Sequence, residues 1–209
     1  MFTFKGVFMH KHNICRNTKF RVIALARPAV LNYNLKHVCM KTTTFGNHLH
    51  PALEQLHRNT CLWIGHMNSG PADHFAGQTF QCPEEGSLGK ILVYSMAVSH
   101  PGTLILTLHE FDKQRKNWGS ILSSAEIEVN ENDAENWIQF PLQNVHLRKD
   151  NTYGFRLKSP DTLVAIGEAA WSSKDPFSYG EEWNINNVEN KDHYYRYFTL
   201  AFKVELRAA

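Results

Sequence analysis

The residues best suited to bind a ligand lie in one polar stretch, residues 169–192. Aromatic rings offer flat apolar faces to a sugar ring, and neighbouring carboxylates and amides bond its hydroxyl groups. No strand pattern is evident here, and a loop of this length in a compact domain is often functional. We therefore predict a ligand site formed by Trp171, Phe177, Tyr179, Trp183, Asp175 and Asn184. The alternative is that the loop folds back and buries its rings as a cap.

Three further rings form a second candidate surface. Trp137, Tyr195 and Tyr197 fall on the polar side of predicted strands. Rings in such positions can form a planar platform on one sheet face, or pack against a second layer or an interface. Trp118 allows the same two interpretations.

A carboxylate pair is the grouping in this chain that would suit glycoside hydrolysis. That reaction needs two acids on either side of the scissile bond, one of them with a raised pKa. Glu168, at a predicted strand end, is the first member, and Glu181 or Glu182 is the second. Acids are common in solvated loops, so a glycoside hydrolase is an alternative function rather than the leading one, and no catalytic residue is assigned.

Metal sites are weakly indicated, and no cofactor is expected beyond calcium as a candidate. Glu131, Asp133 and Glu135 supply oxygen ligands of the kind that calcium binds, but they lack the spacing of a calcium loop and also suit a solvated hairpin turn. Possible zinc ligands are Cys61, Cys82, His66 and His74. Their spacing is irregular, and no C-x-x-C pair occurs, so incidental residues are the simpler interpretation.

Charge divides the chain into two parts. Residues 1–53 contain eight Lys or Arg and no Asp or Glu, whereas residues 54–209 carry all twenty acidic residues and fourteen basic ones. We expect the first part to be a disordered basic extension, or upstream sequence preceding a true start at Met40, with a targeting segment as a further alternative. The acidic remainder argues against nucleic-acid binding, and no apolar run is long enough for membrane insertion. The compartment stays unassigned.

The fold class follows from alternating apolar residues. Phe198, Leu200, Phe202, Val204 and Leu206 share one face of a predicted strand over residues 195–206. Residues 51–57 suggest a short helix or helical turn. Further strands are predicted at residues 61–67, 77–82, 87–98, 103–111, 118–122, 125–129, 137–142, 152–158 and 162–168. Nine or ten strands in residues 54–209 predict an all-β antiparallel β-sandwich of jelly-roll type. An immunoglobulin-like sandwich is the alternative, but its Cys, Trp, Cys pattern is missing.

Several strand and turn sequences resemble the jelly-roll accessory domains of bacterial secreted and surface proteins, of the carbohydrate-binding-module type. They are GQTF at 77–80, WIQFPL at 137–142, DNTYGFRL at 150–157 and the aromatic final strand. The resemblance implies a sandwich that presents loops or a sheet face to a polysaccharide.

The leading functional prediction is a non-catalytic binding module whose ligand is a carbohydrate, held by the aromatic loop. The first alternative is a structural or assembly protein that contacts another protein chain through the same surface. Surface geometry distinguishes them, because a concave groove lined by exposed rings favours a sugar and a flat apolar patch favours a protein.

Overall fold

The computed structural model describes residues 48–66, 73–171, 180–186 and 191–208. These ranges contain fourteen β-strands, one 3₁₀ turn at Glu131–Asp133 and no α-helix. The strands are β1 Leu49–Gln55, β2 Thr60–His66, β3 Asp73–Gln81, β4 Gly86–Val98, β5 Gly102–Asp112, β6 Asn117–Val129, β7 Asn136–Pro141, β8 His146–Leu147, β9 Thr152–Lys158, β10 Leu163–Ala170, β11 Glu182–Asn186, β12 Lys191–Tyr195, β13 Phe198–Leu200 and β14 Phe202–Arg207.

The strands form one antiparallel hydrogen-bonded sheet. Its main path runs β1-β14-β4-β10-β2-β3-β9-β5-β6, while β7 and β8 pair with β4, β13 pairs with β10, and β11 lies between β3 and β12. Each pairing between described strands is antiparallel. The prediction of an all-β antiparallel domain is therefore confirmed.

The sheet folds over so that β14 faces β9 and β3. The ring of Phe202 on β14 lies 5.5 Å from that of Phe155 on β9 and 6.1 Å from that of Phe80 on β3. Four strands separate β14 from β9 along the path, and in a flat sheet the two would stand roughly 24 Å apart. These rings therefore pack across an interior between opposed halves, as in a sandwich. The jelly-roll connectivity itself stays a prediction.

The interior is built by the alternation that the sequence displays. Leu200, Phe202, Val204 and Leu206 are buried and Phe198 is half-buried. The predicted strand over residues 195–206 is nevertheless divided, because β12, β13 and β14 are separate elements. Conversely, the two strands predicted at 118–122 and 125–129 are one continuous strand, β6.

Two local predictions are wrong. Residues 51–57 were expected to be helical, but Leu49–Gln55 is strand β1, paired with β14. Backbone pairing with β14 outweighs the helical appearance of this segment, and the strand also extends into the predicted basic extension. Residues 169–192 were expected to lack strands, yet β10 continues to Ala170 and β11 and β12 lie within or overlap the stretch. Polar residues interrupt the apolar alternation here, so the sequence does not indicate these strands, which pair through backbone hydrogen bonds.

Both ends of the sheet carry interruptions. On β1, the register with β14 shifts between Pro51 and Leu53. On β6, Ser123 pairs with Leu108 but Ile121 pairs with the next residue of β5, and a further shift follows before Trp118. Extra residues in one strand of an antiparallel pair are β-bulges, which bend and twist that strand.

Candidate functional site

Four aromatic rings form a cluster on the outer face of β3, β9 and β11, and we call them the tryptophan cluster: Phe111, Trp118, Trp183 and Tyr194. Ring centroids lie 5.2 Å apart for Phe111 and Trp118, 5.5 Å for Phe111 and Trp183, and 5.7 Å for Trp118 and Trp183. These three pairs meet edge to face, the favoured geometry for aromatic contacts. Tyr194 lies at 5.2 Å from Trp183 with a smaller interplanar angle of 35°.

Two glycines make room for the cluster. A Cβ atom on Gly154 would lie 2.6 Å from Cζ3 of Trp118, and one on Gly77 would lie 3.0 Å from Cζ2 of the same ring. Both glycines are strand residues, and a glycine inside a strand often marks close approach by another group. The Trp118 ring therefore lies directly against the backbone of β3 and β9.

The cluster is buried at its base and exposed at one ring. Trp183 is 3% exposed, whereas Tyr194 is 44% exposed. The indole Nε1 atoms of Trp118 and Trp183 are buried and have no hydrogen-bond partner in the part of the chain that the structure describes. Trp183 thus supports Tyr194 from beneath rather than offering a face to solvent.

Charged side chains surround the exposed ring. The Nζ atom of Lys116 lies 5.1 Å from the centroid of the Tyr194 ring and is ion-paired with Glu181. Arg196 reaches the other carboxylate oxygen of Glu181 at 3.3 Å. These two cations hold the Glu181 carboxylate at the edge of the cluster.

A second ion pair flanks Trp118. The guanidinium of Arg156 stands 4.3 Å from the Trp118 ring centroid and bonds Asp192 at 2.9 Å. His109 meets the same indole edge-on at 5.6 Å. Burial lowers the pKa of His109, which favours the neutral imidazole.

Glu182, the first residue of β11, contacts Glu168 on β10 in the interior of the domain. Glu168 is 6% exposed and Glu182 is 2% exposed. Burial, followed by repulsion from Glu168, raises the pKa of Glu182 to about 10, and burial also raises that of Glu168. When protonated, Glu182 donates a hydrogen bond to the Glu168 carboxylate, and among the described residues its Oε2 atom has no partner. The pair thus shares a proton.

This contact brings together two residues that the sequence proposed as an acid and base. Glycosidase carboxylates stand about 5–9.5 Å apart, because the sugar or a water molecule lies between them. Glu168 and Glu182 instead bond one another inside the domain, so their arrangement gives no support to hydrolysis. Glu181, the other candidate, is occupied by its ion pairs with Lys116 and Arg196.

The predicted ligand residues are distributed over different surroundings. Trp171 is half-buried, and its Nε1 atom donates to Oγ1 of Thr199 at 2.6 Å. Trp183 is buried, and Asn184 is half-buried on β11 opposite His193. Asp175, Phe177 and Tyr179 lie outside the described residues.

The predicted platform residues lie on different strands. Trp137 on β7 meets Tyr94 edge-on at 5.3 Å, and Nζ of Lys203 stands 4.8 Å from its ring centroid. Tyr195 ends β12 and packs against Phe198 at 5.7 Å, while Tyr197 lies in the following turn. Trp118 belongs to the tryptophan cluster.

The candidate calcium ligands lie in a tight turn. The Asp133 carboxylate accepts the backbone N–H of Asn130 at 2.9 Å, which caps the 3₁₀ turn that also contains Glu131. Glu135 follows in the left-handed region with φ of 56°. The acids of this turn thus stabilise its local backbone.

The candidate zinc ligands are dispersed along β2, β3 and the turn after it. Cys61 and Cys82 are free thiols, and buried Cys82 donates to the carbonyl of Glu84 at 3.0 Å. His74 is on β3, and the side chain of His66 lies outside the described residues. Across the described ranges, no three His, Cys, Asp or Glu side chains are grouped to hold a metal ion.

A polar groove of about 440 Å³ shares Phe111 with the tryptophan cluster. Its other lining residues include Glu110, Asn117, Asn151 and Tyr153. Carboxylates accept hydrogen bonds from hydroxyl groups, and side-chain amides both donate to them and accept from them. The groove therefore adds a concave polar surface beside the aromatic one.

Several residues of this site carry little signal in the sequence. Lys116, Arg156 and Tyr194 looked like ordinary loop or strand residues. Gly77 and Gly154 were the available clue, since each interrupts a predicted strand where a large side chain would be expected.

Comparison with known proteins assigns no family: no protein-family model matches the chain, and no curated protein matches it. In the described part of the chain, no helix has the length and apolar character needed to cross a membrane.

Proposed function

We propose that this protein is a non-catalytic binding module for carbohydrate, and that the sugar contacts the exposed ring of Tyr194. The supporting observation is the position of that ring, 44% exposed and backed by the buried indole of Trp183. A ring held in place before binding loses little conformational freedom when the ligand arrives. Tyr194 together with Lys116, Glu181, Arg156 and Asp192 is called the Tyr194 surface below.

The polar side chains of the Tyr194 surface suit a sugar. Lys116 and Arg156 supply N–H donors, while Glu181 and Asp192 supply acceptors. Each donor is ion-paired with one of these acceptors, so the surface offers both kinds of group, and Lys116 stands 5.1 Å from the Tyr194 ring centroid. A sugar presents hydroxyl groups that both donate and accept, and it can bond to both kinds of group.

The mixed character of this region favours a sugar over a protein partner. Protein interfaces place a desolvated apolar centre inside a polar rim and are depleted in charged residues at that centre. Here one ion pair lies beside the exposed ring of Tyr194, a second flanks Trp118 in the same cluster, and the adjoining groove is polar. The resemblance to carbohydrate-binding-module-like domains agrees with this assignment.

The test is a glycan-panel screen of the full chain, with Tyr194→Ala and Tyr197→Ala variants measured in parallel. Tyr197 is a matched control because it is a 49% exposed tyrosine in the neighbouring turn. We expect Tyr194→Ala to weaken binding roughly tenfold, the loss of one aromatic contact, and Tyr197→Ala to have little effect. Absence of binding by the folded chain would contradict the proposal and favour a protein partner. Equal losses in both variants would place the site elsewhere.

A further inference from the structure

Strand β11 connects the interior of the domain to the Tyr194 surface through two consecutive residues. Successive side chains of a strand point to opposite faces. Glu182 lies opposite Gln78, on the interior side, whereas Trp183 lies opposite Gly77 and Tyr194, on the outer side. Any movement of β11 that separates Glu182 from Glu168 therefore also moves the support of Tyr194.

The glutamate pair has few groups to compensate a second negative charge. Facing it in register are Gln78 from β3, Tyr195 from β12, Thr60 from β2 and Leu200 from β13. Tyr195 is the one titratable side chain in this set. Lys116, between β5 and β6, and Arg196, between β12 and β13, are cations close to the start of β11, and both bind Glu181.

The neighbouring polar groups are also committed elsewhere. The side-chain carbonyl of Gln78 accepts the backbone N–H of Leu200 at 2.9 Å, and its amide donates to the carbonyl of Thr79. Gln55 donates to Thr199 and Leu200. Within the described ranges, no cation forms an ion pair with Glu168 or Glu182. The proton that they share is therefore what prevents two negative charges from repelling each other in this buried site.

We propose that the Glu168–Glu182 pair is a proton-dependent latch that holds β11 in place and thereby keeps the Tyr194 surface assembled. With one proton, the pair is a hydrogen bond between β10 and β11. Without it, two carboxylates repel each other in a buried site, and β11 separates from β10. The effect on ligand binding rests on the proposed function, whereas the movement of β11 does not.

The direction of the pH dependence follows from where the proton binds more tightly. An ordinary glutamate loses its proton near 4.5, but Glu182 in the folded domain holds it up to about 10. The folded state then binds a proton that the unfolded chain has released, so stability falls as the pH rises between these values. The latch is closed in acidic and neutral solution, and it opens as the pH approaches the pKa of Glu182.

Hydrogen–deuterium exchange of the β11 amides in the full chain tests the latch without any ligand. After correction for base-catalysed exchange, we expect protection to fall about tenfold or more between pH 7 and 10.5, since one unit of pKa corresponds to a factor of ten. Glu182→Gln should abolish the fall, because an amide donates the same hydrogen bond without ionising. Glu168→Gln removes the repulsion but leaves Glu182 buried, so it should reduce the fall rather than abolish it, and it serves if the first variant fails to fold.

Glu205→Gln is the control, because Glu205 is a half-buried strand glutamate paired with Lys90 at 3.3 Å, away from β11. It should retain the wild-type fall in protection. Constant protection in the wild type, or an unchanged fall in both latch variants, would overturn the latch.

The same samples are then measured for affinity toward the glycan found in the panel. We expect wild-type affinity to decline with protection as the pH rises, and Glu182→Gln to keep its affinity. A fall in protection with no glycan bound at any pH contradicts the proposed function but leaves the latch standing. Binding without a fall in protection contradicts the latch alone.

Discussion

Two of the aromatic groups on the outer faces of the domain differ in what supports them. In the tryptophan cluster, Trp183 is 3% exposed and Trp118 lies against the backbone at Gly77 and Gly154. The other group, the Tyr94–Trp137 pair, has similar edge-on geometry and its own cations, with Arg58 at 3.8 Å from the Tyr94 ring. Trp137, however, is only half-buried.

This difference shows how the same contacts serve different purposes. The tryptophan cluster is a small second core, and its outermost ring is held by rings below it. The Tyr94–Trp137 pair covers a sheet surface without such a base. Ring type and neighbouring cations therefore do not distinguish the two groups, whereas the burial of the rings beneath does.

The largest difference in the free energy of unfolding is expected when one indole is removed from each group. Trp183→Ala leaves a cavity among packed rings and should reduce the free energy of unfolding by about 3–5 kcal/mol. Trp137→Ala removes a half-buried ring and should cost about 1 kcal/mol. Urea denaturation of the two variants measures both values, and equal losses would refute the distinction between the groups.

A smaller difference in stability is expected when one methyl group is added beneath a ring of each aromatic group. A Cβ atom at Gly154 would lie 2.6 Å from Trp118, so Gly154→Ala must displace a packed ring and should cost about 1–3 kcal/mol. At Gly167, beneath Tyr94, the closest atoms are 3.3 Å away and include the flexible side chain of Arg58. Gly167→Ala should therefore change stability by less than about 0.5 kcal/mol. Thermal unfolding compares them, and a tolerated Gly154→Ala would show that Trp118 can move.

The smallest difference in stability is expected when the cation that contacts a ring of each group is removed. Arg156→Met removes a guanidinium that contacts Trp118 and bonds Asp192, whereas Lys203→Met removes an ammonium that contacts Trp137 and bonds Glu54. We expect the free energy of unfolding to fall by about 1 kcal/mol for Arg156→Met and about 0.5 kcal/mol for Lys203→Met, because a partly desolvated arginine makes the stronger cation–π contact. Chemical denaturation in low and high salt separates the ring contact from the screened ion pair. A larger loss at Lys203 would reverse the order proposed for the two groups.

The all-β fold was predictable from the sequence because long strands with one buried face alternate apolar and polar residues. Phe202, Val204 and Leu206 show that period, and they are buried. Strand β11 does not, since its interior residue is the proton-sharing Glu182 and its outer residue is the buried Trp183. Where polar side chains face inward and aromatic ones face outward, the pattern of a strand is lost.

The candidate site was predictable only in part for a related reason. Glu168 and Glu182 were recognised as a pair worth testing, because acids at a strand end and in the following segment can meet. Tyr194 was not recognised, because its importance depends on Trp183 beneath it and on Lys116, which is 78 residues earlier in the chain. Such relations depend on which strands pair, and β11 joins β3 across a long separation in sequence.

The interruptions at the two ends of the sheet have a consequence for how other molecules can approach. A regular outer strand offers its backbone groups to any extended chain, which is a route to uncontrolled association. The register shift beside Pro51 on β1 and the bulges near Ile121 on β6 break that regular series. Backbone pairing with an extended chain is therefore disfavoured at these two edges, so contacts there depend on which side chains the edges present.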